Sequence, residues 1–129
     1  MSRFPSRGRL QYRGGFNLRV LVDPEIVRYY RRLLPPWVPT NPQLYAPHIS
    51  VVRREAVPRA EAWGRHEGEE VEFVYSHTVR HGEVYVWLDA WSVRLEEVRE
   101  ELGLSNEERF TPPPAGFRKT FHITIGNWK

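Results

Sequence analysis

Two segments of the chain follow the same order of predicted elements, and this repetition restricts the possible folds more than any other feature. Alternating apolar residues predict the strands, and a capped apolar stripe predicts each helix. Each segment has a strand, a helix, a proline-rich loop and a closing strand. In the first segment the strand is 16–22, the helix is 24–34 and the closing strand begins at His48. In the second segment the strand is 84–90, the helix is 93–102 and the closing strand begins at Phe121. We interpret them as an internal pseudo-repeat, which predicts an α+β fold with antiparallel sheets.

The composition fits one compact domain over residues 1–129. The chain is 40% apolar and 27% charged, and it contains no cysteine, which excludes thiolate metal sites and a cysteine nucleophile. We expect two lobes, approximately 16–57 and 71–129, joined through a polar surface segment at 54–70. No apolar run approaches the length of a membrane span, so we expect a soluble, cytoplasmic protein.

Residues 1–14 are expected to form a basic N-terminal arm. The first 22 residues contain no acidic side chain but carry five arginines: Arg3, Arg7, Arg9, Arg13 and Arg19. Such an arm either follows a phosphate backbone or is a solvated tail.

The helix predicted over 93–102 has a recognisable start, stripe and end. Ser92 is placed to cap its first turn, and Gly103 to end it. Leu95, Val98 and Leu102 form the expected buried stripe. The glutamates are expected on the solvent side: Glu96, Glu97, Glu100 and Glu101.

The two closing strands carry the same four-residue pattern. In both 48–51 and 122–125, a histidine is followed by an apolar residue, then by a residue with a hydroxyl group, and then by a second apolar residue. Because side chains two apart in a strand point the same way, His48 stands beside Ser50 and His122 beside Thr124. The apolar residues of each pattern face the core.

Two such pairs suit acid–base chemistry on a phosphodiester. Near neutral pH one imidazole can accept a proton while the other donates one. The hydroxyls of Ser50 and Thr124 can hydrogen-bond non-bridging oxygens of a tetrahedral anion. With no thiol and only two aspartates, Asp23 and Asp89, a carboxylate metal cluster is poorly supported. We therefore expect metal-free cleavage with no cofactor.

The doubled pattern resembles that of the two-histidine phosphoesterase superfamily. This group includes bacterial 2′-5′ RNA ligase-like proteins, RNA 2′,3′-cyclic phosphodiesterases and phage enzymes that degrade the cyclic oligonucleotide signals of CBASS immunity. The segment from Tyr45 to Arg53 is similar to the first motif of the small phage-type members. The resemblance implies a bilobal, pseudo-symmetric α+β fold with both motifs lining a central cleft. It also implies four catalytic residues: His48, Ser50, His122 and Thr124.

Basic and aromatic residues near the motifs are candidate substrate contacts. Arginine and lysine can neutralise phosphate charge, and exposed aromatic rings can stack on bases. The basic candidates are Arg53, Arg118 and Lys119, with Arg54 beside them. The aromatic candidates are Tyr45, Trp87 and Phe117. We expect substrate choice to depend on the loops at 36–47 and 105–120.

Three functions are compatible with the sequence. The first is a metal-independent phosphodiesterase for small ribonucleotides, such as cyclic oligonucleotides, 2′,3′-cyclic phosphates or short RNA ends. The second is an RNA-binding module with a non-catalytic cleft, and the third is a 2′-5′ RNA ligase. The sequence leaves open which histidine is the base, whether water or a ribose 2′-hydroxyl attacks, and the oligomeric state.

Overall fold

The protein is a closed six-stranded antiparallel barrel with two short helices. The computed structural model describes residues 3–35, 37, 41 and 45–127. The elements are β1 (Arg3–Arg13), β2 (Asn17–Leu21), α1 (Pro24–Leu33), β3 (His48–Arg53), a 3-10 turn (Ala60–Ala62), β4 (Glu70–His81), β5 (Tyr85–Trp91), α2 (Val93–Glu101) and β6 (Phe121–Asn127). The strands follow the order β1-β2-β3-β6-β5-β4 around the barrel. Neither of the two described helices is long and apolar enough to cross a membrane.

The barrel is built from two halves with the same order of elements. The first half is β1-β2-α1-β3, and the second is β4-β5-α2-β6. The halves meet twice, where β3 pairs with β6 and where β1 pairs with β4. The predicted order of strand, helix and closing strand is therefore present in both halves. Most of the proline-rich segment at 36–47 lies outside the described residues.

The expected bilobal α+β fold is wrong. A half of three strands has two open edges, whose unpaired backbone groups need partners. Each half satisfies its edges by pairing with the other, so the two sheets close into one barrel instead of forming two lobes with a cleft between them. A single cluster of buried side chains contains residues from all six strands and both helices.

The helices begin where the sequence predicts, but α2 buries one glutamate that the sequence analysis places in solvent. Asp23 accepts a hydrogen bond from the backbone N–H of Glu25 at 2.9 Å, and Ser92 accepts one from Leu95 at 3.2 Å. The prediction for Glu96 is wrong: its side chain is buried because it accepts backbone hydrogen bonds from residues 118 and 119.

The expected N-terminal arm is instead a barrel strand. Residues 3–13 form β1, which pairs with both β2 and β4. Gly8 and Leu10 point inward and are buried, whereas the arginines alternate with them and point outward. At Gly8 a side chain would collide with the neighbouring strand, since an added Cβ would lie 2.3 Å from the Leu21 carbonyl oxygen and 2.4 Å from Val20 Cγ1.

We predict that Gly8→Ala destabilises the barrel. The added methyl group meets backbone in a packed interior, and overpacking of this kind lowers the free energy of unfolding by about 1–3 kcal/mol. Gly15→Ala is the matched control, because an added Cβ there has no neighbour within 4 Å. Urea denaturation followed by circular dichroism measures both variants. Equal stability of the two variants would contradict the close approach of β1 and β2.

Candidate active site

The two motifs lie side by side because β3 and β6 are neighbouring strands. Ile49 pairs with Ile123, and both side chains are fully buried. The four polar side chains therefore form a square on the outer face of the sheet, with His48 across from Thr124 and Ser50 across from His122. Diagonal neighbours in such a pair are about 7–8 Å apart, a gap that one phosphate group bridges when each ring bonds one of its oxygens.

All four motif side chains line one hollow of about 1000 Å³. This volume is at the upper end of the range of ligand pockets, roughly 300–1,000 Å³. The structure thus brings the four predicted catalytic residues together, on one face of a continuous sheet and not between two lobes.

Matching β-bulges lie at the end of each motif, where β3 and β6 each have one extra residue relative to the flanking strand, Val51 and Ile125. The register shifts immediately before Arg19 in β2 and immediately before Trp87 in β5. Beyond each shift, Arg19 lies opposite Ser50 and Trp87 lies opposite Thr124. A bulge bends its strand and changes the direction of nearby side chains, so the two halves present their residues to the hollow in equivalent ways.

The residues beside the two histidines differ in chemistry although their backbone positions are equivalent. Leu21 lies opposite His48, whereas Asp89 lies opposite His122. One histidine therefore has an apolar neighbour on the flanking strand and the other has a carboxylate. The symmetric backbone gives the two imidazoles different electrostatic surroundings.

His48 is held in one tautomer by the backbone. Its Nδ1 lies 2.8 Å from the Ala46 carbonyl oxygen, which only accepts, so Nδ1 carries the proton and Nε2 keeps a free lone pair. Burial lowers the pKa of His48, the Ala46 bond opposes this, and the positive charges of Arg19, Arg53 and Arg13 lower it further. His48 is therefore neutral at pH 7 and ready to accept a proton.

His122 faces a carboxylate. Its side chain is 46% exposed, and its Nε2 lies 3.6 Å from Asp89 Oδ1. Asp89 is itself fixed by Trp87, whose indole N–H donates to the same oxygen at 3.0 Å, and by Arg80 at 3.6 Å. Burial lowers the pKa of His122, while Asp89 and Glu108 act against that shift by favouring the imidazolium.

Four of the six predicted substrate contacts line the hollow: Tyr45, Arg53, Trp87 and Lys119. The Trp87 ring also packs on the His122 imidazole, with centroids 5.1 Å apart. The ammonium group of Lys119 lies 5.8 Å from the centre of the Phe121 ring, and burial is the main cause of its lowered pKa.

The other two predicted contacts, Arg118 and Phe117, are not among the residues that line the hollow. The Arg118 guanidinium pairs with Glu96 and Glu100 of α2. Phe117 packs near Trp91 and lines a separate hollow of about 520 Å³. Both residues precede β6, where the chain is bonded to α2 before it enters the barrel.

Sequence reasoning missed Arg19, Asp89 and Phe110 as residues of the site. Phe110 is 91% exposed on the rim of the hollow. Arg19 and Asp89 occupy outward positions of predicted strands, and that alternation is the only local signal for them. Arg19 and Asp89 lie beside the motifs because β2 is next to β3 and β5 is next to β6, and this pairing of strands is not a local property of the sequence.

Two buried charges of α2 hold the strands that carry the motifs. Arg99 donates to the Val51 carbonyl oxygen at 2.7 Å and forms a bidentate pair with Glu55 at 2.7 and 3.0 Å. Glu96 accepts the backbone N–H groups of residues 118 and 119 at 2.8 and 3.2 Å. The helix thus fixes the middle of β3 and the segment that leads into β6.

Among the described residues, no group of three or more His, Cys, Asp or Glu side chains is arranged to hold a metal ion. No family model, curated protein or solved structure matches the chain. The resemblance to two-histidine phosphoesterases therefore depends on the motif residues alone.

We predict that Asp89→Asn lowers the pKa of His122 further. The carboxylate at 3.6 Å favours the charged imidazole, and its neutral isostere does not, so the pKa of His122 falls. Titration of the histidine ring protons by NMR measures the change. The pKa of His48 serves as the internal control and should stay in place. An unchanged His122 pKa would show that the two groups are not coupled.

Proposed function

We propose that the protein is a metal-independent phosphodiesterase that acts on small ribonucleotide substrates, cyclic oligonucleotides or 2′,3′-cyclic phosphates. The observation that carries the proposal is the square of His48, Ser50, His122 and Thr124 in one hollow. The proposal keeps the resemblance to two-histidine phosphoesterases for these four side chains and not for the fold. Degradation of CBASS signals by a phage enzyme lies within this substrate class.

The surroundings of the two histidines support different roles. His48 has a free Nε2 lone pair and positively charged neighbours, which suit a general base. His122 faces the Asp89 carboxylate, which favours the protonated ring of a general acid. Of these groups, Arg19 comes from the flanking strand β2 of the first half and Asp89 from the flanking strand β5 of the second half.

In the proposed reaction, His48 Nε2 takes a proton from the attacking oxygen, which belongs to water or to a ribose 2′-hydroxyl. A new O–P bond forms as the P–O bond to the leaving oxygen breaks, and His122 supplies a proton to that oxygen. The hydroxyls of Ser50 and Thr124 donate to non-bridging phosphate oxygens and stabilise the charge that develops there. A cytoplasmic location belongs to the proposal, since ribonucleotide signals and RNA ends occur there.

We predict that His48→Ala and His122→Ala each lower kcat by about 10²–10⁴-fold, the usual loss when a general acid or base is removed. A panel of 2′,3′-cyclic nucleotides and cyclic dinucleotides, with products resolved by mass, measures the loss. His77→Ala is the control, because His77 is exposed on β4 away from the hollow.

Full turnover in either the His48→Ala or the His122→Ala variant, or loss of wild-type activity in EDTA, would contradict the proposal. Binding without any product would favour the RNA-binding alternative, and joined 2′,5′ products would favour the ligase.

We also predict a bell-shaped pH profile of kcat/KM with its maximum on the acid side of about pH 6.5, the ordinary pKa of histidine. The rising limb follows deprotonation of His48, and the falling limb follows deprotonation of His122. Because both pKa values are lowered, both limbs move to lower pH. Asp89→Asn should move only the falling limb, further toward acid. A maximum above neutral pH, or a shift of the rising limb alone, would contradict this assignment.

A further inference from the structure

Three arginines gather at the β1–β2–β3 side of the hollow, and their charges are not neutralised there by protein carboxylates. Arg13, Arg19 and Arg53 all line the hollow. The Arg19 Nε donates to Gln11 Oε1 at 2.7 Å, which is a neutral partner. In the part of the chain that the structure describes, none of the three forms an ion pair with a carboxylate.

Several arginines outside this group are paired with acids. On β1 itself, Arg7 lies 3.5 Å from both Glu70 and Glu72 of the neighbouring strand. In α2, Arg94 lies 2.7 Å from Glu69. Like charges brought together without counter-charges raise the energy of the folded protein, and a bound anion relieves that repulsion.

The opposite side of the hollow carries acidic groups whose charge is partly balanced, because Arg80 pairs with Asp89 and Lys119 lies near Glu108. Asp89 lies beside His122 on β5, and Glu108 also lines the hollow. The square of motif residues lies between the two sides. An anionic substrate longer than the square is therefore attracted toward the three arginines, whose charges have no carboxylate partner among the described residues.

The arginine side also has room and contacts for a nucleoside. Phe16 is 51% exposed beside Arg53 and can stack on a base. Asn17 lines the same end, and its Oδ1 is buried without a hydrogen-bond partner among the described residues. An amide oxygen accepts, so it suits a ribose hydroxyl or an exocyclic amino group of a base.

We propose that the substrate carries a second phosphate, which Arg13, Arg19 and Arg53 bind on the His48 side while the reacting phosphate lies over the motif square. This inference is based on the proposed phosphodiesterase function and narrows it to substrates of at least two nucleotides. β1 lies two strand spacings from β3, about 10 Å, so the arginines extend well beyond the reacting phosphate. A mononucleotide cyclic phosphate would leave them without an anion.

Binding measurements on a catalytically inactive background test the second phosphate directly. The protein is the double variant His48→Ala, His122→Ala, and the probes are two adenosine dinucleotides that end in a 2′,3′-cyclic phosphate. One has a natural internal phosphodiester and the other an uncharged internal methylphosphonate, so the two differ only in the second charge. We expect calorimetry to give at least about tenfold tighter binding of the charged probe, the gain expected from charge-assisted hydrogen bonds.

Adding Arg13→Gln and Arg19→Gln should reduce that tenfold preference to less than about twofold. Adding Arg7→Gln, the matched control on the same strand as Arg13, should leave the preference unchanged, because Arg7 already has acidic partners outside the hollow.

Equal affinity for the two probes, or a preference that survives the double arginine substitution, would overturn the inference. Wild-type cleavage of both probes with equal KM would refute the second phosphate site but support the phosphodiesterase. A binding preference for the charged probe, without cleavage of either probe by the wild-type protein, would support the second phosphate site but refute the phosphodiesterase.

Discussion

The pairing of β3 with β6 is the contact on which the rest of the protein depends. It joins the two halves at Ile49 and Ile123, whose side chains are fully buried in the shared core. The same pairing places the polar faces of both strands next to each other. Because side chains alternate along a strand, burial of the isoleucines requires the histidines and hydroxyls to point outward. The pairing of β3 with β6 therefore both stabilises the barrel and assembles the candidate site.

A symmetric frame with unequal side chains gives the two similar histidines different surroundings, on which the proposed acid and base roles depend. The motif strands β3 and β6 have bulges at equivalent points, at Val51 and Ile125, so each half presents its residues in the same way. The first half places arginine and leucine beside its motif, and the second places tryptophan and aspartate. In the proposed mechanism, acid and base are thus distinguished by the groups around each motif and not by the motifs, which are nearly identical.

The strands that carry the motifs could be predicted from the sequence because alternation and helix caps are local signals. The faces of His48 and His122 followed from the same periodicity. The barrel could not be predicted, because β1–β4 and β3–β6 join residues that are about 70 positions apart in the chain. β1 was missed since Gly8 and Leu10 give a weak apolar pattern among arginines. The contact of Asp89 with His122 depends on strand neighbours and was missed for the same reason.

The N-terminal strand also imposes an order on folding. β1 is synthesised first, but Arg3 to Arg9 pair with residues of β4 from Ser76 back to Glu70. The last strand, β6 (Phe121–Asn127), then joins β3 to β5, so the ring of strands stays open on the ribosome until nearly all of residues 1–129 have emerged. Joining such distant segments costs loop-closure entropy before any contact is gained, which makes closure a slow step. Until then, the free edges of the first three strands are open to pairing with other nascent chains.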